Sequence, residues 1–371
     1  MSAADLNRLF LAMLLGITAC RTAPQSTQET AYRAESQPRN IILMIGDGMG
    51  LTQVTAAMYS IQRRLNLERC PVVGLSKTHS ADNLITDSAA GGTAIACGQK
   101  TYNGAIGMSA DTVAIPTILE MCEAQGLATG MAVTCELTHA TPAAFIAHQP
   151  NRQMVEEIAA DYLKTEIDLF IGGGLGHFVT RQDGRNLVLE LQDRNYQIRN
   201  ERMVFSDLTF IPNQKLACFT ALDAPRSQES GRVYLPESVT FSANFLSKMS
   251  RKGFFLMVEG SQIDWGGHDN NAAMVVNETL DFDEAVGRAL DFAAQDKHTL
   301  VIVTADHETG GLAIQRPSQA GHLTMAFTTD GHTASMVPVY AYGPGSEAFS
   351  GIYDNTELFF KMVRALGLDE K

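Results

Sequence analysis

Near the start of the chain, residues 41–50 read IILMIGDGMG. Five consecutive apolar residues are typical of a strand buried on both faces of a sheet, and the glycines beside Asp47 end it in a tight turn. Two later apolar runs end in a similar way, because residues 254–258 lead into EGSQIDWGGH and residues 299–304 lead into ADHETGG. The sequence therefore predicts several strands that each deliver acidic groups to a glycine-rich loop.

Outward from these runs, strand-like and helix-like segments alternate along the chain. Residues 127–134, 168–171 and 337–342 are further strand candidates, and amphipathic stretches such as residues 272–294 separate them. Such alternation is typical of a parallel sheet with helices on both faces. We therefore expect an α/β fold with three layers and a mostly parallel central sheet.

Acidic and histidine side chains follow three of the predicted strands. Ligand sites of open parallel sheets lie beyond the carboxyl ends of the strands, so we expect these side chains to lie together. Asp264 and His268 are four residues apart and could share one face of a helical turn, whereas the adjacent Asp306 and His307 must point apart. Carboxylate and imidazole suit zinc, while carboxylate with hydroxyl suits magnesium. One such residue alone is more often structural, but three clusters at strand ends indicate a metal centre.

A separate motif at residues 86–94, TDSAAGGTA, contains Ser88. The small residues after Asp87 and Ser88 favour the start of a helix with Asp87 as its cap. The positive field at a helix N-terminus also favours phosphate, but a serine hydroxyl becomes a nucleophile only when a base or a metal activates it. No Gly-x-Ser-x-Gly surrounds Ser88, so a Ser-His-Asp hydrolase is not indicated. The motif predicts either a nucleophile or a plain capping serine.

Taken together, six short motifs resemble the alkaline phosphatase family. They occur in the family's order within residues 41–345, as Asp47-Gly-Met-Gly, Asp87-Ser88-Ala89, Ala140 to Ala144, Glu259 to His268, Ala305 to Glu308, and Gly331-His332-Thr333. The resemblance implies an alkaline phosphatase-like fold and the hydrolysis of phosphate monoesters through a phosphoserine on Ser88. It also implies two zinc ions and one magnesium ion as cofactors.

The resemblance assigns a role to each matching residue. The ligands of the first zinc ion would be Asp264, His268 and His332. The ligands of the second, joined by Ser88, would be Asp47, Asp306 and His307. The magnesium ligands would be Asp47, Thr141 and Glu259. Arg152 matches the family's phosphate-binding arginine, whose planar fork suits two phosphate oxygens.

Three features depart from the common pattern of the family. His139 precedes Thr141 by two residues, where some bacterial relatives have an aspartate, and an imidazole there favours a softer metal than magnesium. Trp265 stands where relatives often carry a cation, so we expect weaker phosphate binding. The stretch of residues 310–331 is short, at a place where many relatives insert subdomains. Those subdomains often contribute to dimer contacts, so the sequence leaves open whether the protein is a homodimer.

Composition bounds the class of protein. The chain has 371 residues, of which 45% are hydrophobic, and this excludes a disordered chain. With 28 basic and 41 acidic residues the net charge is −13, so a nucleic-acid partner is not expected. The expectation of small phosphorylated substrates comes from the resemblance to the alkaline phosphatase family.

The N-terminal residues 1–20 are typical of an export signal. An apolar run too short to span a bilayer ends in Ile17-Thr18-Ala19-Cys20, which resembles the lipobox of bacterial lipoproteins. Lipidation of Cys20 would anchor the chain to a membrane, as a periplasmic or cell-envelope lipoprotein. The alternative is an ordinary signal peptide cleaved near Ala19.

The remaining chain divides by composition. Residues 21–39 are rich in Thr, Gln, Ser and Pro and predict a flexible tether, and residues 40–371 predict a single catalytic domain. Residues 181–235 are less periodic and could be a peripheral insertion. The five cysteines after Cys20 have no regular spacing, so we expect mostly buried free thiols, with one disulfide left open.

Two alternatives to a phosphomonoesterase remain at this point. One is a phosphodiesterase, sulfatase or phosphomutase of the same superfamily. Thr141, Glu259 and Arg152 argue against a diesterase, because a diester has one fewer charged oxygen, and Asp87-Ser88-Ala89 does not match a sulfatase motif. The other is a non-catalytic exported lipoprotein that binds metal or phosphate, which would not need Ser88.

Overall fold

A computed structural model describes residues 37–61 and 63–369. The predicted signal peptide, Cys20 and most of the predicted tether lie outside this range. Within it, no helix has the length and apolar character that a bilayer crossing requires.

The strands, in chain order, are β1 (Asn40–Gly46), β2 (Val72–Lys77), β3 (Ala128–Glu136), β4 (Leu169–Gly173), β5 (Tyr196–Arg199), β6 (Lys215–Phe219), β7 (Phe254–Gly260), β8 (Thr299–Thr304), β9 (Glu308–Thr309), β10 (Ala313–Gln319), β11 (His322–Ala326), β12 (His332–Thr333), β13 (Val337–Tyr342) and β14 (Gly351–Asp354). The α-helices are α1 (Leu51–Ser60), α2 (Ser88–Cys97), α3 (Ile118–Ala124), α4 (Ala140–Ala143), α5 (Val155–Asp161), α6 (Leu175–Val179), α7 (Leu187–Asp193), α8 (Leu235–Met249), α9 (Gln262–His268), α10 (Ala272–Asp296) and α11 (Thr356–Ala365). Short 3-10 helices cover residues 66–69, 205–207 and 346–349.

The centre of the fold is a ten-stranded sheet in the order β14-β2-β13-β8-β1-β7-β3-β4-β6-β5. β13 runs antiparallel to both of its neighbours, and the other pairs are parallel. Alternate residues of β1 enter two separate hydrophobic layers, with Ile41, Leu43 and Ile45 on one side and Ile42 and Met44 on the other. This explains why the strand has no polar side, and it confirms the predicted three-layer, mostly parallel α/β fold.

The register of the central strands decides where the polar loops meet. Ile45 pairs with Glu259 of β7 and with Thr304 of β8, and Val133 of β3 also pairs with Glu259. The residues that directly follow β1 and β8 therefore leave the sheet at the same edge as Glu259. Strand pairing alone thus gathers chain segments that are far apart in sequence.

The predicted insertion and the cysteines take definite places. Within residues 181–235, β6 pairs with β4 and β5 pairs with β6, so this stretch forms one edge of the sheet. The cysteines within the described range are all buried and free, as expected: Cys70, Cys97, Cys122, Cys135 and Cys218.

A buried ion pair gives the fold a testable point of stability. The Arg232 side chain is 2% exposed, and its Nη1 lies 2.8 Å from Asp281 Oδ2 while its Nη2 contacts Glu278. Arg232→Ala would leave two carboxylates in the interior without their cation, so we expect the free energy of unfolding to fall by about 3–5 kcal/mol in denaturant titrations. Arg288→Ala is the control, because Arg288 pairs with Glu284 at the surface and should change stability by less than about 1 kcal/mol. Equal effects of the two variants would contradict this account.

Candidate active site

The site lies at the carboxyl edge of the sheet, where three loops and the start of α2 meet. Asp47 directly follows β1, and Asp306 and His307 follow β8 by two and three residues. Ser88 is the first residue of α2. Short connections from paired strands fix these backbones, so little conformational freedom is left to the site.

Asp47, Asp306 and His307 form what we call the inner triad. His307 Nε2 lies 3.3 Å from Asp306 Oδ2 and 3.5 Å from Asp47 Oδ1, and all three side chains are fully buried. Within the described range, both oxygens of Asp47 and Oδ2 of Asp306 have no hydrogen-bond partner. Burying unpaired carboxylate oxygens is costly, so their convergence on one imidazole nitrogen is suited to a bound cation.

The pKa shifts of the inner triad reflect the burial of these unpaired carboxylates. Burial, and then the neighbouring carboxylates, raise the pKa of Asp47 well above its usual value. Burial, and then Asp264, raise the pKa of Asp306 to about 7. Burial also holds the pKa of His307 well below its usual value. A divalent cation would favour the ionised carboxylates and the neutral imidazole, which are the forms that bind metal.

Asp264, His268 and His332 form the outer triad. His268 Nε2 lies 3.4 Å from Asp264 Oδ2, and His332 Nε2 lies 3.5 Å from Asp264 Oδ1. The other ring nitrogens are 2.6 Å and 2.8 Å from the carbonyl oxygens of Asp330 and Thr86, respectively. Contacts of this kind fix the rings of metal-binding histidines, so both Nε2 atoms face the same carboxylate.

Charge within the outer triad is balanced more fully. The hydrogen bond with Asp264 raises the pKa of His268 to about 9. Burial opposes ionisation of Asp264, but the hydrogen bond from His268 and the nearby His307 and His332 together hold its pKa below the usual value. The outer triad is also nearer to solvent, because the His268 side chain is 42% exposed.

The two triads are in contact. The His307 and His332 rings stack with centroids 3.6 Å apart. Thr309 Oγ1 donates to Asp264 Oδ1 at 2.5 Å and lies 3.2 Å from His307 Nδ1, so one hydroxyl joins both triads. Sequence reasoning missed Thr309. The available signal was its position two residues after His307, but a threonine in a strand usually has no such role.

Ser88 faces the inner triad, with its Oγ 3.2 Å from His307 Nε2. The capping role belongs to Asp87, whose carboxylate accepts the backbone N–H of Ala90 at 3.0 Å. The Asp87 cap was predicted, and the Ser88 hydroxyl is not used for capping. Arg152 Nη1 lies 3.1 Å from Asp87 Oδ2, which places a cation next to the residue that precedes Ser88.

A third cluster lies around Glu259. The cluster consists of Cys135, His139 and Glu259, whose ligand atoms lie within 4.8 Å of one another. Thr141, the predicted magnesium ligand, is buried in α4 directly after His139 and Ala140. Trp265 is half-buried, and its ring meets His139 edge-on with centroids 6.2 Å apart. Sequence reasoning named Thr141, Glu259, His139 and Trp265 but missed Cys135.

Comparisons with known proteins agree with this fold. The sequence model of the family described as Alkaline phosphatase matches residues 38–326 and 317–368. Alkaline phosphatase 3 of Bacillus subtilis is 33% identical over 92% of each chain, and the Escherichia coli alkaline phosphatase is 33% identical over 90% of this chain and 87% of its own. The solved alkaline phosphatase of the Antarctic bacterium TAB5 is 42% identical and superposes with a TM-score of 0.86 over 90% of this chain and 100% of its own. The chain therefore belongs to the alkaline phosphatase family and is a hydrolase of phosphate monoesters.

Proposed function

We propose that Ser88 is the nucleophile of this enzyme. Ser88 Oγ attacks phosphorus, the bond from phosphorus to the alcohol oxygen breaks, and the proton of the serine hydroxyl passes through solvent to the departing alcohol oxygen. Water then cleaves the phosphoserine, which restores Ser88 and releases inorganic phosphate. The observation that carries this proposal is the 3.2 Å approach of Ser88 Oγ to His307 Nε2, at the mouth of a triad with unpaired buried oxygens.

The donor sets of both triads fit zinc. The inner triad offers two carboxylates and one imidazole, and the outer triad offers one carboxylate and two imidazoles. These are typical zinc ligands, and the unpaired oxygens of Asp47 and Asp306 need a cation. When bound, a pair of zinc ions supplies positive charge that lowers the pKa of a nearby hydroxyl or water and stabilises both oxygens of an in-line displacement.

The protein itself contributes position and charge. The N-terminus of α2 directs its partial positive charge at Ser88, where a phosphate would sit. The Arg152 guanidinium can donate to two phosphate oxygens, and Asp87 holds it in place. These positive groups stabilise the negative charge that spreads over the equatorial oxygens during phosphoryl transfer.

For the third cation the sequence predicts magnesium, held by Asp47, Thr141 and Glu259. A variant of the TAB5 enzyme that carries aspartate in place of a histidine is described with Mg bound in the M3 site, and it is 41% identical to this chain. That description supports a third cation position in this chain as well.

We propose a single catalytic domain over residues 40–371, export directed by residues 1–20, and a lipid on Cys20.

A substrate comparison tests the function. We expect an aryl phosphate monoester to be hydrolysed far faster than the matching diester or sulfate ester. Chelation should abolish that activity, and zinc should restore most of it. Magnesium alone should not, because an Asp/His donor set binds zinc better than magnesium. Preferred hydrolysis of the diester, or activity that survives complete metal removal, would overturn the proposal.

Trp265 provides a test of phosphate binding. An indole carries no charge, so Trp265→Lys would add a cation beside Asp264, near the proposed phosphate site. We expect the inhibition constant of phosphate to fall about fivefold, since one added charge at a partly solvated site contributes roughly 1 kcal/mol. Trp265→Gln is the neutral control and should not tighten inhibition. An unchanged constant in Trp265→Lys would count against this role.

A further inference from the structure

The pairing of two central strands brings together Cys135 and Glu259 of the third cluster. Val133 of β3 is in register with Glu259 of β7, and Cys135 is two residues further along β3. Side chains two residues apart in a strand point to the same face, so the thiol is brought towards the carboxylate. Cys135 Sγ lies 3.3 Å from Glu259 Oε2, and both residues are fully buried.

Other polar atoms at this cluster have no partner within the described range. They are Glu259 Oε1, Thr141 Oγ1 and His139 Nδ1. Glu259 and Thr141 are 0% exposed, so water from the bulk does not solvate them freely. Buried polar groups of native proteins are nearly always satisfied, and a set of unpaired donors and acceptors around one thiol indicates a ligand.

The donor chemistry does not fit magnesium well. Magnesium prefers about six oxygen ligands in near-ideal octahedral geometry and retains several waters. Here a sulfur and an imidazole nitrogen lie beside the carboxylate, and zinc accepts all three kinds of donor. A sulfur and an oxygen bound to one zinc ion at about 2.3 and about 2.0 Å would be roughly 3.5 Å apart, close to the spacing of Cys135 and Glu259.

We infer that Cys135, His139 and Glu259 form a thiol-containing site that binds Zn²⁺ in preference to Mg²⁺. Cys135 is the residue that sets this preference, and its thiol proton is released to solvent when the metal binds. The inference rests on the proposed function only in that both place a third cation at Glu259. It replaces the predicted magnesium by a softer ion.

Cobalt substitution tests the sulfur ligand directly. The metal-free full-length protein is titrated with Co²⁺, and the near-ultraviolet absorption that arises from sulfur-to-cobalt charge transfer is recorded. We expect this absorption in the wild type and its loss in Cys135→Ser. Cys122→Ser is the matched control, because Cys122 is equally buried, and it should keep the absorption. A wild type without the absorption would overturn the inference, whether or not any variant folds.

Metal content gives a second, independent readout. After dialysis against excess Mg²⁺, the wild type should retain three zinc equivalents, whereas Cys135→Ser should retain two zinc and gain one magnesium. Loss of a ligand should weaken zinc at this site by at least about 10- to 100-fold, the range seen even for groups that only support a ligand. Two zinc and one magnesium in the wild type would contradict the inference and leave the proposed function intact. Fewer than two zinc equivalents would instead contradict the proposed function.

Discussion

Ser88→Ala is expected to lower kcat/KM for an aryl phosphate by about 10⁴- to 10⁶-fold, the range found when single members of a serine-nucleophile triad are removed. The reason is geometric, because Ser88 Oγ lies 3.2 Å from His307 Nε2, the nitrogen on which the Asp47 and Asp306 carboxylates converge. The measurement is steady-state hydrolysis, together with acid trapping of labelled phosphate on the protein. The wild type should carry the label and the variant should not.

Zinc content separates loss of the nucleophile from loss of the site. The Ser88→Ala protein should keep the zinc of both triads, since their carboxylates and imidazoles remain. Ser242→Ala is the matched control, because Ser242 is fully buried in α8 and belongs to neither triad, and it should retain near wild-type turnover. Turnover of Ser88→Ala at the wild-type rate would show that the covalent mechanism is wrong.

Asp47→Asn should have the next largest effect. Both Asp47 oxygens are buried and accept no hydrogen bond from the residues that the structure describes, so this carboxylate holds no protein group in place and serves to supply negative charge to a bound cation. We expect one zinc equivalent to be lost and turnover to fall by at least about 100-fold, because removing a direct ligand should exceed the cost of removing a group that only supports one. Metal analysis and steady-state kinetics on the same preparation measure the two effects.

The sign of the stability change makes Asp47→Asn a sharper test. In the metal-free protein the substitution removes a buried charge that burial and Asp306 disfavour, so the midpoint of thermal unfolding should rise. Asp283→Asn is the control, because Asp283 is buried but accepts backbone N–H groups from Asn66 and Leu67, so its zinc content should be unchanged and its stability lower. A metal-free Asp47→Asn protein that is less stable than the wild type would contradict the unpaired-charge account.

The sequence was sufficient for the framework of this enzyme because the framework follows from local patterns. The uninterrupted apolar run of β1 predicted burial on two faces, and its alternate residues do enter opposite hydrophobic layers. The predicted strands at residues 299–304 and 337–342 have these same bounds in the structure. Groups that follow the ends of parallel strands meet by necessity, so Asp47 and Asp306 were also within reach of sequence reasoning.

Contacts between distant strands were not predictable in the same way. Cys135 and Glu259 are 124 residues apart, and their approach depends on the register of β3 against β7. A cysteine in an apolar strand also has the composition of an ordinary core residue. The thiol could be connected to the site only once that register was known.

The glycines of α9 show a different limit. Gly266 and Gly267 weaken a helix by propensity, so either a helix or a tight turn could carry Asp264 and His268. The structure has a helix, and a Cβ at Gly266 would lie 2.8 Å from the Val275 nitrogen, while one at Gly267 would lie 2.9 Å from Thr309 Cβ. Close packing therefore explains these glycines, and propensity does not record packing.

The two triads are buried to different extents, which affects the side from which solvent reaches the site. The inner triad is sealed beneath the sheet edge, whereas the outer triad has His268 at the surface. We therefore expect a departing alcohol, and the water that replaces it, to exchange with solvent on the exposed side, past His268. The inner triad thus holds groups that stay in place during the reaction, and the outer triad is the side open to exchange. Changes in the loops around His268 should therefore alter exchange with the medium without disturbing the buried groups.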